Sequence, residues 1–95
     1  MKSISEKKEI LKELQTIPGV GVSIAEDLYR LGIRAIHDLQ GKSPEIMYEK
    51  FCDIEGKKID RCLLYVFRCA VYYASNEIHD ERLLKWWNWK DRIHD

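Results

Sequence analysis

The sequence has few residues that break regular structure and no excess charge of either sign. Only five glycines and two prolines occur in 95 residues, and lysine plus arginine balance aspartate plus glutamate at sixteen each. Proteins that bind polyanions through a general basic surface usually carry a positive excess, and the zero net charge argues against that class. Any affinity for an anion must therefore come from a local arrangement of groups.

Long apolar runs and a cysteine framework are also missing. No apolar run is long enough to span a bilayer, and residues 1–16 lack the apolar core of a signal peptide, so we expect a cytoplasmic protein with no membrane partner. The three cysteines, an odd number, do not suggest a secreted disulfide framework. The 45% of hydrophobic residues can form a modest core, and the length predicts one domain over residues 1–95.

Two of the few glycines and one of the prolines lie together in Ile17-Pro18-Gly19-Val20-Gly21. Apolar residues recur at three- and four-residue steps on both sides of this stretch. Before it they are Ile10, Leu11, Leu14 and Ile17, and after it Ile24, Ala25, Leu28 and Leu31. The pattern predicts a helix capped by Ser3 or Ser5 and ending near Thr16, a tight turn, and a second helix over about 22–31.

The turn has a chemical consequence. Because Gly19 and Gly21 have no side chains, an outside group can approach the backbone closely. The amides that follow, from Gly21 to Ile24, are the unpaired donors at the start of a new helix. Such donors, together with the positive end of the helix dipole, favour an anion such as a phosphate.

This stretch resembles the helix-hairpin-helix motif of DNA repair and replication proteins. The residues that carry the resemblance are the two hairpin glycines, Ala25 four residues later, and Gly32-Ile33 after the second helix. The functional interpretation is phosphate binding by the backbone amides of Gly19, Gly21, Ser23 and Ile24. The resemblance also implies a monovalent cation, K⁺ or Na⁺, bridging to the phosphate and held by the carbonyls of Gln15, Ile17 and Val20.

The charges around the hairpin oppose this interpretation in part. DNA-binding versions of the motif often place basic residues in the first turns of the second helix, where this chain has Glu26 and Asp27. Arg30 and Arg34, further along, are candidate phosphate contacts that offset this repulsion, together with Lys42. The alternative is a tight turn that only joins two packed helices.

The remaining chain predicts an all-α fold of about five short helices, with the hairpin motif (about 10–33) packed on a central helix. Ile33, Ile36 and Leu39 suggest a short helix. Ser43-Pro44-Glu45 is a typical helix start, and Gly56 is predicted to end that helix. From Cys62 to Ala74 the only charged residue is Arg68, so the segment of about 58–75 is predicted to be a buried central helix. A last helix, over about 80–90, carries Trp86, Trp87 and Trp89.

The second half resembles the bacterial pathogenicity-locus family, also labelled mitomycin-resistance-like. The resemblance rests on the run Leu-Tyr-Val-Phe-Arg-Cys-Ala-Val-Tyr-Tyr-Ala at residues 64–74, on Asp60-Arg61-Cys62 before it, and on Leu84-Lys85-Trp86-Trp87 after it. It covers nearly the whole chain and implies a helix-hairpin-helix protein.

Several side chains have simple structural interpretations. Arg68 needs a partner, for which Asp60, Asp53 and Glu49 are candidates. The tryptophans are stacking platforms for bases or, more simply, attach the last helix to the core. On an α-helix they spread over roughly 160°, which leaves one ring for a protein partner.

The cysteines are predicted to be buried free thiols. Cys62 and Cys69 are seven residues apart on one helix, roughly 10 Å, which is too far for a disulfide or a shared zinc ion. Only an oxidising setting would pair Cys52 with one of them. A zinc site would also need His37, His79 or His94, so zinc is not expected.

No catalytic triad, Walker loop or metal-binding histidine pair is present, so we expect a protein that is not an enzyme. The first hypothesis is sequence-independent binding of the DNA backbone, strengthened by a homodimer or a DNA-processing protein partner. The alternative is a protein-interaction adaptor in which the hairpin is only structural. Two features separate them: whether Glu26 and Asp27 flank the hairpin tip, and whether Trp86 and Trp89 are exposed.

Overall fold

A computed structural model describes the backbone of residues 4–90 and the side chains of residues 6–90. The suggested cap Ser3 and the side chains of Ser5 and His94 lie outside this part. The described chain forms four α-helices, α1 (Ile4–Leu14), α2 (Val22–Arg30), α3 (Pro44–Glu55) and α4 (Cys62–Ser75). Three 3₁₀ segments complete it, η1 (Ile36–Leu39), η2 (Glu81–Leu84) and η3 (Trp86–Trp89). All regular structure in this range is helical, which confirms the all-α prediction.

Local sequence signals account for most helix ends. Ser43 caps α3, since its hydroxyl accepts a hydrogen bond from the Ile46 amide at 3.3 Å, and Gly56 ends this helix in the left-handed conformation with φ of 71°. The central helix begins at Cys62 rather than near residue 58, because the Asp60 carboxylate accepts the Cys62 amide at 2.8 Å and forms a turn before the helix. α1 ends at Leu14 rather than near Thr16. The short helix suggested by Ile33, Ile36 and Leu39 is the four-residue 3₁₀ segment η1.

α4 is the centre of the fold. Phe67, Cys69 and Ala70 are completely buried on it, and α3 and all three 3₁₀ segments contact it. α1 and α2 pack on each other and contribute Leu14 and Leu28 to the same core. The prediction of a buried central helix is confirmed. None of the described helices has both the length and the apolar character needed to cross a membrane.

The tryptophan-rich end is not the single α-helix that the sequence predicted. It consists of η2 and η3, separated by Lys85 in an extended conformation. With three residues per turn, Trp86 and Trp89 lie on the same side of a 3₁₀ segment and Trp87 points elsewhere. Trp86 packs against the core, Trp89 is partly buried, and Trp87 is 52% exposed. One ring is left over, but the α-helical spread was the wrong reason for it.

Arg68 is held in a different ion pair from those proposed. Its Nε donates to the Glu45 carboxylate at 3.0 Å and its Nη1 donates to the Trp89 carbonyl at 2.9 Å. The arginine of the central helix therefore connects α3 to the tryptophan-rich end. Sequence spacing did not identify Glu45, because the pair joins two helices whose relative position is set by tertiary packing.

The three cysteines are free thiols in different environments. Cys69 is buried and Cys52 is half-buried, but Cys62 is exposed, which corrects the prediction of buried thiols. Cys62 is the first residue of α4, where the helix has only begun to enter the core. Among the described residues no three histidine, cysteine or acidic side chains are grouped to hold a metal ion.

Candidate functional site

The connection between α1 and α2, residues 15–21, is anchored to the core by buried residues three apart. Leu14, Ile17 and Val20 are 0%, 1% and 5% exposed. The Ile17 amide donates to the Leu14 carbonyl at 3.2 Å, and the Val20 amide donates to the Ile17 carbonyl at 3.0 Å. These successive turns bury one side of the connection and leave Gly19 and Gly21 exposed on the other.

The backbone amides on the exposed side are unused. Within residues 4–90, the N–H groups of Gly19, Gly21, Ser23 and Ile24 donate no hydrogen bond, although Ala25 already donates to the Gly21 carbonyl at 2.9 Å. These are the four amides that the sequence analysis singled out. They lie at the positive end of α2, where an acceptor from outside the fold would satisfy them.

Gly21 is open to the outside. Its φ of −96° and ψ of −167° are extended backbone that any residue adopts, and a Cβ atom added there meets nothing within 4 Å. Neither backbone strain nor internal packing therefore demands glycine at this position. The missing side chain leaves access to the amides of the first turn of α2.

Gly19 is a glycine for an internal reason. Its φ is +85°, and an added Cβ atom would lie 3.1 Å from Cδ1 of Trp86. The indole thus lies against one side of Gly19, a contact between positions 19 and 86 of which the sequence gives no sign. Trp87 packs edge-to-face on Trp86, with the ring centroids 5.8 Å apart. An exposed aromatic ring therefore belongs to the neighbourhood of the hairpin.

The two acids near the hairpin are engaged with other helices. The Glu26 carboxylate lies 3.4 Å from Nζ of Lys7 on α1. Asp27 is half-buried, and burial raises the pKa of its carboxyl; Arg30 opposes this shift, while Glu55 on α3 and Glu26 reinforce it. Neither acid is therefore a freely projecting charge, and the lysine partly neutralises the first.

Arg30 and Arg34 are not brought to the amides. Arg30 donates to Glu55 of α3 at 2.5 Å, and Arg34 donates to the Tyr29 carbonyl at 2.7 Å with its guanidinium 3.6 Å from the Tyr29 ring centroid. At about 1.5 Å per residue, Arg30 lies roughly 13 Å along α2 from Gly21. The structure thus gives these arginines roles in holding the far end of α2.

The three proposed cation ligands lie in the same connection. The Ile17 carbonyl accepts the Val20 amide, while the carbonyls of Gln15 and Val20 accept no hydrogen bond from residues 4–90. Neutral backbone oxygens are suitable ligands for K⁺ or Na⁺, as they are for other hard cations. The donor set therefore fits a monovalent cation.

A second surface feature lies between α3 and α4. It is an open groove of about 770 Å³. Acidic residues from α3 and basic residues from the following loop and α4 share its walls: Glu45, Glu49, Asp53, Lys57, Lys58, Arg61 and Arg68. Three acidic and four basic side chains nearly balance, so the groove carries no large excess of either charge.

Comparison with known proteins identifies the family of the chain. The family model described as "Pathogenicity locus" (Cdd1) matches residues 7–94. The chain is 35% identical over 63 residues to a protein named mitomycin resistance protein McrB from Streptomyces lavendulae, a match that covers 66% of this chain and 60% of that protein. No solved structure is significantly similar to the chain. Because the family model spans nearly the whole sequence, the chain belongs to the bacterial pathogenicity-locus family.

Proposed function

We propose that this protein is a non-enzymatic module that binds the DNA backbone without reading base sequence. α1, the connection and α2 act in this proposal as a helix-hairpin-helix motif. The amides of Gly19, Gly21, Ser23 and Ile24 donate to one phosphate group. The observation that carries the proposal is Gly21, where open space lies above unpartnered amides and the fold itself has no need of a glycine.

The chemistry of the site favours a phosphate of the nucleic-acid backbone. Amide donors at a helix start match an anionic oxygen acceptor, and phosphates are the same for every base sequence. One hairpin makes few phosphate contacts, so the affinity is weak and its dependence on salt is shallow. A second copy in a homodimer, or a DNA-processing protein partner, raises the affinity by holding two sites on one DNA molecule.

A monovalent cation adds to this site in the same proposal. The carbonyls of Gln15, Ile17 and Val20 would hold K⁺ or Na⁺, which supplies positive charge beside the phosphate. Since the protein has zero net charge, a local cation would offset the remaining repulsion from the acids of α2. The cytoplasm, where DNA is accessible in bacteria, is the matching location.

Fluorescence anisotropy with labelled single-stranded, duplex and gapped DNA tests the proposal at low and physiological salt. The test variant is Gly21→Glu, which puts a carboxylate over the amides at a position with room for a side chain. Gln40→Glu is the matched control, because it adds the same charge at an exposed residue after η1. We expect salt-sensitive binding by the wild type and the control, and none by Gly21→Glu.

Circular dichroism establishes that both variants remain folded. If wild-type protein binds no DNA at low salt, the proposal is wrong. The same conclusion follows if folded Gly21→Glu binds as tightly as the control. Repeating the titration in K⁺, Na⁺ and tetramethylammonium salts tests the cation: the affinity should drop when the only cation is too large for the carbonyls.

The second candidate function is a protein-interaction adaptor. The exposed Trp87 and the charged groove between α3 and α4 are the observations that favour it. In this case the hairpin only connects two packed helices, and Gly21→Glu leaves every interaction unchanged. Absence of DNA binding together with partner binding that Trp87→Ala weakens would identify this function.

A further inference from the structure

Trp87 is the one aromatic side chain among the large hydrophobic residues exposed in the described part of the chain. The others are aliphatic: Val22, Ile46, Ile54 and Ile78. Trp86 and Trp89 are held by the core and by the Leu83 carbonyl, to which Trp89 Nε1 donates at 2.7 Å. Trp87 has neither support, and its 52% exposure leaves indole surface in contact with solvent.

The position of this ring relates it to the hairpin. Trp86 lies against Gly19, with Cδ1 3.1 Å from where a Cβ atom would sit. Trp87 packs on Trp86 with an angle of 86° between the ring planes. The pair is not a sandwich of parallel rings, so Trp87 keeps surface for a further planar group. Trp87 therefore contacts the residue that lies against Gly19, which puts the exposed indole near the hairpin on the Gly19 side.

The open amides at the start of α2 lie near the two indoles. Gly19 and Gly21 are separated by at most about 7 Å of extended backbone, so the glycine in contact with Trp86 is a close neighbour of the amides at the start of α2. A strand that places a phosphate on the Gly21 amides brings an attached or adjacent nucleotide toward the indoles. Every base offers an aromatic face, and stacking on tryptophan is tolerant of base identity.

We infer that Trp87 is a stacking site for an unpaired nucleobase, and that the ligand of the hairpin is single-stranded DNA in preference to intact duplex. The inference rests on the proposed function, which it makes more specific. In an intact duplex both faces of an internal base are covered by its neighbours, so an indole beside the backbone finds no free base face. In a single strand a base unstacks from its neighbours at low cost and can stack on the indole.

The test compares three labelled ligands: an oligothymidine 12-mer, a 12-mer of the same charge made of abasic residues, and a blunt duplex. The variant is Trp87→Leu, which keeps an apolar side chain but has no aromatic face. Trp87→Phe restores an aromatic face, and Ile78→Ala removes an exposed apolar side chain, 89% exposed, from the loop after α4. Equilibrium urea unfolding shows that each variant is as stable as the wild type.

We expect wild-type protein to bind the thymidine 12-mer at least about fivefold more tightly than the abasic one. Trp87→Leu should abolish this difference and leave the affinity for the abasic strand and the duplex unchanged. Trp87→Phe should keep most of the preference, and Ile78→Ala all of it. Because stacking involves no counterion release, the preference should persist at physiological salt.

Three outcomes overturn the inference. If Trp87→Leu leaves the preference unchanged while Gly21→Glu still abolishes binding, the hairpin binds phosphate and Trp87 takes no part. If Trp87→Leu lowers the affinity for all three ligands equally, Trp87 positions the hairpin and does not stack on a base. If wild-type protein binds none of the ligands, the proposed function fails and the inference fails with it.

Discussion

Trp86 lies against Gly19, with its Cδ1 atom 3.1 Å from the place a Cβ atom of residue 19 would occupy. Gly21, two residues later, has nothing within 4 Å of the equivalent point. The two hairpin glycines thus differ in their physical role. One permits a left-handed backbone beneath an indole from the C-terminal segment, and the other leaves the start of α2 open to the outside.

The first prediction concerns the stability of alanine variants at these glycines. Gly19→Ala should lower the free energy of unfolding by at least about 1–2 kcal/mol, because a φ of +85° is unfavourable for alanine. The new methyl group also presses on Trp86. Gly21→Ala should stay within about 0.5 kcal/mol of wild type. Equilibrium urea unfolding, followed by circular dichroism, measures both.

Gly32→Ala is the matched control for Gly19→Ala. Its φ is +93°, but an added Cβ atom meets nothing within 4 Å, so this variant reports the backbone cost alone. The excess cost of Gly19→Ala over Gly32→Ala measures the contact with Trp86. Equal costs at the two positions would contradict the packing described for the indole.

The second prediction concerns Arg68, whose guanidinium connects Glu45 on α3 to the Trp89 carbonyl. Arg68→Met keeps the apolar stem but removes the hydrogen bonds to Glu45 and to the Trp89 carbonyl, and should destabilise the protein by about 1–3 kcal/mol. Arg82→Met is the control, because Arg82 pairs with Asp80 on the surface with 83% of its side chain exposed. That change should cost less than Arg68→Met, because exposed ion pairs contribute little to stability. Comparable losses for the two variants would show that Arg68 does not anchor the tryptophan-rich end.

The third prediction concerns thiol reactivity. Burial raises the pKa of Cys69 from 9.0 to about 11, so little reactive thiolate forms at pH 8, and the side chain is also inaccessible. Cys62 is exposed, and its pKa is raised mainly by the hydrogen bond to Asp60. Because Cys62 is exposed and Cys69 is buried, iodoacetamide should modify Cys62 first and Cys69 last. Mass spectrometry of peptides over time follows the modification.

Two controls sharpen the thiol experiment. In urea the three cysteines should react at similar rates, because burial is lost. Asp60→Asn should speed modification of Cys62, since it removes the carboxylate that raises the pKa of this thiol. Modification of Cys69 in the native protein at the rate of Cys62 would contradict the buried position assigned to it.

The fourth prediction concerns pH. The Asp38 carboxylate accepts the amides of Arg34 and Ala35 at 3.0 and 3.1 Å, and the Arg34 hydrogen bond is the main cause of a pKa below the ordinary 3.8. A lowered pKa in the folded state contributes stability that is present above pH 3.8 and lost as pH falls through the folded value. Asp38→Asn should therefore be less stable than wild type at pH 7.

This difference should shrink when urea unfolding is repeated at pH 3 and below. Asp53→Asn is the control, because Asp53 is exposed on α3 and its carboxylate accepts no hydrogen bond from residues 4–90. A stability difference for Asp38→Asn that is the same at both pH values would assign its effect to shape rather than to charge.

Much of this architecture could be predicted because its signals are local. Helical periodicity around the hairpin, the Ser43-Pro44 start of α3 and the apolar run of α4 depend on residues within a few turns of one another. The unpaired amides of Gly21, Ser23 and Ile24 follow equally from local geometry, since the first turn of any helix lacks internal acceptors. The errors were at places where local signals compete, such as the tryptophan-rich end, where packing of individual indoles replaced an α-helix with two 3₁₀ segments.

From the amino-acid order alone follow the all-helical class, the central apolar helix and a turn whose backbone can meet an anion. Only the tertiary structure decided which groups surround that turn. In the folded chain Glu26 pairs with Lys7, and Arg30 pairs with Glu55. Trp86 lies against Gly19, and Trp87 packs on Trp86. These contacts join residues far apart in the chain, and their formation depends on how the helices pack around α4, which no local pattern encodes.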